Sequence, residues 1–341
     1  MKAVMKTRPE PGVEVLDIDV PETGADEVLL EVKAAAICGS DLGIYDYTPA
    51  YYRMKLPVVL GHEFAGLVAE AGSDVKGFEV GDRVISRSVV SCGSCGFCRN
   101  GLDNLCEDSG LLGIHRDGGF AEYIAVPHNL LHSIPDGMPY EEAALVEPLS
   151  NAVHFVRDLT EVGSGDFVVV QGIGPIGLLS AQLFRLAGAD VLLTGIGVDT
   201  ERFRIAEKLG FSTINVEKED LLERVSRITG GRGADTAFVA VGAPSAMAQA
   251  VQLVRKGGQI TVVGIFPGDV ELPLTRVVRR EIRIKGAYDA RRPNFEDAIG
   301  LVERKAINVR DFITHKLPLE EAHEAFELAK SKVGCKVLFI P

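Results

Sequence analysis

The chain has 341 residues, 46% of them apolar and 25% charged, with a formal net charge of −12. Such a composition belongs to a globular protein long enough for two ordinary domains. The surplus of acid argues against a polyanionic partner, because nucleic-acid affinity comes largely from basic side chains that neutralise phosphates.

Along the chain, the first ~150 residues alternate short β-rich runs with glycine and proline punctuation, as in VLLEVKAAAI, FAGLVAEAG, DRVISRSVV and GGFAEYIAVP. They predict a mostly antiparallel β domain over residues 1–153, carrying a cysteine-rich lobe over about residues 88–110. From about residue 165 the rhythm becomes strand, helix, strand. FVVVQ (167–171) is followed by a helix over 175–188, VLLT (191–194) and a helix over 201–210. A helix near 219–229, TAFVAV (236–241), a helix near 245–256 and QITVVGI (259–265) continue the series. This alternation predicts an α/β domain over residues 154–288 with a doubly wound parallel sheet. In residues 289–341 an amphipathic helix begins after Pro318, with Leu319, Ala322, Phe326 and Ala329 on one face, and KVLFIP reads as a strand. Because the parallel pattern ends near residue 288, this tail is expected to return to the first domain. No apolar run approaches the ~20 residues that span a bilayer, and the opening MKAVMKTRPEPGVEV lacks the apolar core of a secretory signal. The expectation is a cytoplasmic protein with no membrane or nucleic-acid partner.

Cys92, Cys95, Cys98 and Cys106 spell Cys-x2-Cys-x2-Cys-x7-Cys in a loop dotted with glycine and asparagine. Four thiolates this close in sequence can wrap one tetrahedral zinc, and all-cysteine sites are closed and structural. Disulfides are the competing reading, and a reducing compartment disfavours them.

The turn after FVVVQ reads Gly172-Ile-Gly174-Pro175-Ile176-Gly177. In a strand-turn-helix unit, G-x-G-x-x-G is a dinucleotide signal: the first glycine makes the tight turn, the second admits a pyrophosphate and the third lets helix pack on strand. The helix N-terminus then faces the phosphates. A ribose-binding acid is expected at the end of the second strand, but VLLT runs on as Gly195-Ile-Gly-Val-Asp199-Thr-Glu-Arg202. The glycine leaves room for a 2′-phosphate that Arg202 or Arg204 can meet, which favours NADP. Alternatively Asp199 folds back to the ribose hydroxyls, which favours NAD, and the sequence leaves both open.

A second set of metal-capable residues lies outside the cysteine lobe: Cys38 in AICGSD, His62 and Glu63 in VLGHE, and Glu147 in EPL. One thiolate, one imidazole and one carboxylate make three protein ligands and leave a fourth position for water or substrate, as a catalytic zinc requires.

Taken together these residues resemble the zinc-dependent medium-chain alcohol and polyol dehydrogenases, the group of sorbitol dehydrogenase and threonine 3-dehydrogenase. The resemblance runs over essentially the whole chain. It is carried by Cys38-Gly-Ser-Asp41, Gly61-His62-Glu63-x2-Gly66-x5-Gly72, the four-cysteine lobe, Asp117-Gly-Gly-Phe-Ala-Glu-Tyr123, Glu147-Pro-Leu and Gly172-x-Gly-x-x-Gly177. It implies a Rossmann domain and a GroES-like catalytic domain, with the active site in the cleft between them. It also implies two zinc ions per chain, a nicotinamide cofactor and a homo-oligomer, expected to be a homotetramer. By resemblance, Cys38, His62 and a glutamate hold the catalytic zinc, with Glu63 and Glu147 exchanging or bridging through water. Asp41 orients His62. Ser40 takes the alcohol proton toward the cofactor ribose, and Val263, Gly264 and Ile265 line the nicotinamide. Relatives often carry a histidine where this chain has Gly43, so the proton leaves either through the ribose or through another group such as Tyr45 or a histidine. Tyr45, Tyr47, Tyr51 and Tyr52 fall between two metal-ligand segments and form either part of the substrate wall or ordinary loop packing.

The resulting expectation is an oxidoreductase that transfers a hydride between a secondary alcohol, foremost a polyol or sugar, and NAD or NADP. L-threonine 3-dehydrogenase is the alternative within the family, favoured by GGFAEY and EPLSNAVH but weakened by Gly43 and by Ser40 where those enzymes usually show threonine. From another class comes a zinc-stabilised dinucleotide-binding protein without turnover.

Overall fold

The computed structural model describes residues 1–341. The chain divides into two units, Met1–Ser150 with Ala290–Pro341, and Asn151–Asp289. The first begins with β1 (Lys2–Lys6), β2 (Glu14–Asp17), β3 (Glu27–Ala36), α1 (Gly39–Tyr45), β4 (Val58–Val59), β5 (Glu63–Ala71) and β6 (Arg83–Ser86). A hairpin of β7 (Val89–Val90) and β8 (Gly110–Leu111) carries the cysteine lobe, whose short helix α2 spans Gly96–Arg99. Then come β9 (Tyr123–Pro127), β10 (Leu131–Ser133), α3 (Tyr140–Ala144) and α4 (Val146–Val153). In β3, Val28, Leu29 and Leu30 are all buried in succession, and successive strand side chains point to opposite faces, so both faces of this strand are covered. Its two hydrogen-bonding edges are filled as well: β5 and β9 both pair with it antiparallel.

The second unit is a six-stranded, all-parallel sheet of β11 (Phe167–Gln171), β12 (Asp190–Gly195), β13 (Ser212–Asn215), β14 (Ala234–Val239), β15 (Val254–Val262) and β16 (Arg283–Gly286). Between them run α5 (Pro175–Leu186), α6 (Thr200–Lys208), α7 (Leu221–Thr229), α8 (Pro244–Leu253) and α9 (Leu274–Arg279). The spatial order β13-β12-β11-β14-β15-β16 is the doubly wound order of dinucleotide-binding sheets, which reverses direction between β11 and β14. All five residues of β11 are buried, as a central parallel strand requires. Local signals set the helix ends. Pro175 opens α5 at a position where its missing N–H costs nothing, and the Asp220 carboxylate caps α7 by accepting the Leu222 and Glu223 N–H groups at 2.8 and 3.1 Å. The sequence reading carried α8 to residue 256; the chain instead turns extended at Val254, which pairs with Ala234 of β14.

The tail contributes α10 (Arg292–Glu303), β17 (Ile313–Leu317), α11 (Ala322–Ser331) and β18 (Lys336–Phe339). β18 pairs antiparallel with β3 and parallel with β17, extending the main sheet of the first unit to β10-β6-β5-β3-β18-β17, with β9 also on β3. Phe326 of α11 and Phe339 of β18 are fully buried there, their rings 6.4 and 4.9 Å from that of Phe120. No helix in the chain is long and apolar enough to cross a membrane.

Candidate metal centres and dinucleotide site

The register of β3 against β5 pairs Ala36 with Glu63, so the residues just beyond each strand end, Cys38 and His62, meet. Cys38 caps α1: its N–H donates to Asp41 Oδ2 at 2.8 Å, and the Asp41 N–H donates to the Cys38 carbonyl at 3.2 Å. Gly61, at φ +92°, makes the bend that precedes His62. The outcome is a cluster in which one ligand atom each from Cys38, His62 and Glu63 lies within 4.8 Å of the others. Ser40 Oγ is 3.4 Å from His62 Nε2, and Asp41 Oδ1 is 3.8 Å from His62 Nδ1.

Three buried atoms here, His62 Nδ1, Glu63 Oε1 and Asp41 Oδ1, have no hydrogen-bond partner. Asp41, Glu63 and Glu147 are three buried carboxylates, 0%, 1% and 3% exposed, and the one lysine among them is Lys336. Buried charge is tolerated where it is paired or coordinates a metal. A thiolate, an imidazole and a carboxylate suit zinc, so the residues present fit that ion. Burial works against a charged His62, yet Asp41, Cys38 and Glu147 outweigh it and raise its pKa well above the ordinary value. Burial raises the pKa of Asp41, against the pull of His62 and the Cys38 N–H.

Glu147, in the first turn of α4, falls outside the three-residue cluster and reaches His62 and Lys336 through its charge. Lys336 is the residue that sequence reasoning missed. Its ammonium forms an ion pair with Glu63 Oε2 and donates to the Ile37 carbonyl at 3.1 Å. Burial alone would lower its pKa, but Glu63, Cys38 and Glu147 more than compensate and hold it above the usual lysine value. The available signal was a lone cation in an otherwise apolar strand, KVLF.

The structure separates the four tyrosines. Tyr45 is buried, stacks on Phe326 at 4.8 Å and shares a hydrogen bond of 2.8 Å with His323 Nδ1. Tyr47 and Tyr52 pack on each other at 5.0 Å. Tyr51 covers Gly43: a side chain there would begin 2.5 Å from Tyr51 Cε2. The space that a side chain at position 43 would enter is thus filled by an aromatic ring.

In the lobe, Cys92, Cys95, Cys98 and Cys106 put their sulfurs within 4.8 Å of one another, with separations of 3.9 Å (92 to 98), 3.5 Å (95 to 98) and 4.0 Å (95 to 106). A tetrahedron with Zn–S of about 2.3 Å has edges of about 3.8 Å, so the four suit one zinc. The Ser94 N–H, its hydroxyl and the Cys95 N–H pull the Cys92 pKa down to about 6. Burial and the neighbouring thiols push Cys98 up to about 12, because crowded sulfurs resist a further negative charge until a cation joins them. The partly buried ion pair of Arg87 with Asp103 ties the lobe to the segment between β6 and β7.

In the second unit Gly172, at φ +111°, turns the chain out of β11, and a side chain on Gly177 would overlap the Gly172 carbonyl oxygen. Gly174 caps α5 and Pro175 is its first residue, so free N–H groups of the helix start face the turn. Val263, Gly264 and Ile265 follow β15 at the same carboxyl edge of the sheet; Val263 and Gly264 both donate to the Val239 carbonyl, at 3.0 and 3.1 Å. At the end of the second strand, a side chain on Gly195 would meet Ile173 at 2.7 Å and Phe203 at 2.8 Å, so that the absence of a side chain there serves packing. Asp199 accepts from the Ile196 N–H at 3.1 Å and pairs with Arg202 at 3.0 Å, and Arg204 binds Glu201 at 2.9 Å. Arg202 and Asp199 are therefore engaged with each other in a largely buried pair, while the Arg204 side chain is 76% exposed.

Residues 24–136 match the family described as alcohol dehydrogenase GroES-like domain, and residues 175–304 match zinc-binding dehydrogenase. The chain is 36% identical to sorbitol dehydrogenase of Halalkalibacterium halodurans over 345 aligned residues, covering 100% of this chain and 99% of that one. It is 38% identical to D-arabitol-phosphate dehydrogenase of Enterococcus avium, over 99% and 97% of the two chains. The crystal structure of 2R,3R-butanediol dehydrogenase from Bacillus subtilis superposes with a TM-score of 0.90 at 32% identity, covering 100% of this chain and 99% of that one. With these matches over a thiolate, imidazole and carboxylate cluster and a Gly-rich dinucleotide turn, the chain belongs to the zinc-dependent medium-chain dehydrogenase family and is an NAD(P)-linked oxidoreductase.

Proposed function

We propose that this protein oxidises a secondary alcohol of a polyol or sugar alcohol to the ketone, reversibly, with two zinc ions per chain, one structural and one catalytic. The observation that carries the reading is the convergence of Cys38, His62 and Glu63 within 4.8 Å, with Ser40 Oγ 3.4 Å from His62 Nε2. When bound, zinc supplies Lewis acidity toward an alcohol oxygen, and the nicotinamide ring supplies the hydride acceptor. Cys38, His62 and a glutamate, Glu63 or Glu147, hold the metal. Asp41 steadies the pair by fixing the Cys38 backbone and standing beside His62 Nδ1. Ser40 relays the alcohol proton: its Oγ accepts that proton as its own hydroxyl proton passes on toward the cofactor ribose. Gly172, Gly174, Pro175, Ile176 and Gly177 bind the pyrophosphate, and Val263, Gly264 and Ile265 face the nicotinamide. Named relatives acting on sorbitol and arabitol phosphate favour a polyol over a simple alcohol.

The protein works in the cytoplasm as a homo-oligomer, for which a homotetramer is our reading. The edge strand β16 has exposed residues throughout, and Leu274 and Val278 of the preceding α9 are 63% and 74% exposed, an apolar surface suited to a second copy.

A screen of polyols, sugars, threonine and simple alcohols with NAD and NADP, followed by nicotinamide absorbance, tests the reading alongside zinc analysis. Turnover of a polyol with about two zinc per chain is expected. Preference for threonine would move the protein to L-threonine 3-dehydrogenase, and one zinc without turnover would leave a non-catalytic dinucleotide-binding protein.

A further inference from the structure

We infer that Glu217, in the turn that follows the strand next to the usual one, selects NAD over NADP, an inference that rests on the dinucleotide reading above. In doubly wound sheets an acidic side chain at the end of the second strand binds the ribose 2′-hydroxyl. Here that strand, β12, ends on Gly195, which is packed against Ile173 and Phe203. The neighbouring β13 is in register with it, Gly195 opposite Asn215, and the Val216 N–H donates to the Gly195 carbonyl at 3.0 Å. Two residues beyond Asn215 comes Glu217. Its carboxylate accepts the Gly197 N–H at 2.7 Å, so it stands over the loop that leaves β12. Its placement is fixed from its own side as well, because the Glu217 N–H donates to Asn215 Oδ1 at 3.0 Å. Gly197 is part of the arrangement: a side chain there would begin 2.9 Å from Glu217 Oε2.

The chemistry of the neighbours decides the preference. Asp199 is buried and engaged at both oxygens, by the Ile196 N–H and by Arg202. Arg202 has a side chain only 12% exposed; Arg204 is 76% exposed and pairs with both oxygens of Glu201 at the surface. Glu217 is exposed and spends one oxygen on Gly197, so its second oxygen is available to a ligand hydroxyl. A carboxylate accepts a bond from a 2′-hydroxyl and repels a 2′-phosphate.

Calorimetric titration of the zinc-loaded protein with NAD+ and with NADP+ separates the possibilities. The wild type is expected to bind NAD+ at least about tenfold more tightly, and Glu217→Ala to shrink that ratio by about tenfold or more, weakening NAD+ and strengthening NADP+. Glu217→Gln, which keeps an acceptor without the charge, should retain most NAD+ affinity while admitting NADP+. Thermal unfolding of both variants should match the wild type. A wild type that prefers NADP+, a ratio unmoved by Glu217→Ala, or a ratio reset instead by Arg202→Ala would each overturn the inference. Binding of neither nucleotide would overturn the dinucleotide reading itself.

Discussion

Lys336 and Glu63, 273 positions apart, form an ion pair with side chains only 3% and 1% exposed, at the edge of the candidate catalytic centre. The pair occupies one carboxylate oxygen and leaves the other without a hydrogen-bond partner. Such a geometry holds the glutamate in place while keeping an oxygen free for a cation.

Lys336→Met should therefore strand an ionised carboxylate in a buried setting. The expected loss is about 3–5 kcal/mol of stability, the range for breaking one side of a buried pair, accompanied by weaker zinc retention. Adding Glu63→Gln should recover much of the stability but not the zinc. Urea unfolding and metal analysis of the three variants check this, and simple additivity of the two changes would contradict it.

Removal of single cysteines should separate the two centres. Cys38→Ala is expected to abolish turnover and lower zinc from about two to about one per chain with the unfolding midpoint little changed. Cys95→Ala should lose a similar amount of zinc but chiefly lower the midpoint, because its site closes a loop. Full activity in Cys38→Ala would refute the assignment.

Ser40→Ala should lower kcat by about 10²–10⁴, the range for a general acid–base group, with little change in zinc content. Steady-state kinetics with the best alcohol from the screen provide the test.

Gly43→Ala sets two effects against each other. Alanine is favoured in a helix interior by about 1 kcal/mol, while overpacking costs about 1–3 kcal/mol. A methyl 2.5 Å from Tyr51 Cε2 tips the balance toward destabilisation. The change should become favourable in a Tyr51→Ala background, and denaturant unfolding of the double-mutant cycle measures the coupling.

His132 provides a pH test. It is buried, stacked on Phe295 at 5.3 Å, and burial together with Arg292 and Arg87 lowers its pKa to about 3. Its folded pKa lies below the unfolded value of about 6.5, so the unfolded chain binds the extra proton between these limits. Stability from this group is complete above about pH 6.5 and declines as pH falls toward 3, by at most about 1.4 kcal/mol per pH unit. In His132→Leu the acid slope should be shallower by up to that amount, as read from unfolding curves at several pH values.

The parts legible in the sequence were those written in short-range pattern. FVVVQ and the glycine turn declared a buried parallel strand and its helix within a dozen residues, and the lobe cysteines lie close enough in sequence to show their grouping. Strands β13 and β16 were not foreseen, because STIN and RIKG are four residues long and lie at the sheet edges with mixed polarity. The packing at Gly195 was not readable from its own segment, because the occupants of its side-chain space, Ile173 and Phe203, come from two other segments. Lys336 was invisible for the same reason: its meaning lies in a partner on β5. Tyr45 and Tyr51 shared a cluster in the sequence and parted in space, one into the core and one over Gly43.

The insertion of β18 beside β3 imposes an order on biosynthesis. The 151–289 unit is one uninterrupted stretch and is free to fold as it leaves the ribosome, whereas the sheet around β3 lacks an interior member until residues 336–339 have been made. On the zinc assignment proposed above, metal loading at Cys38 and His62 in its final form is a late event, and a nascent chain stalled after the dinucleotide-binding unit would carry a finished nucleotide fold attached to an incomplete first unit.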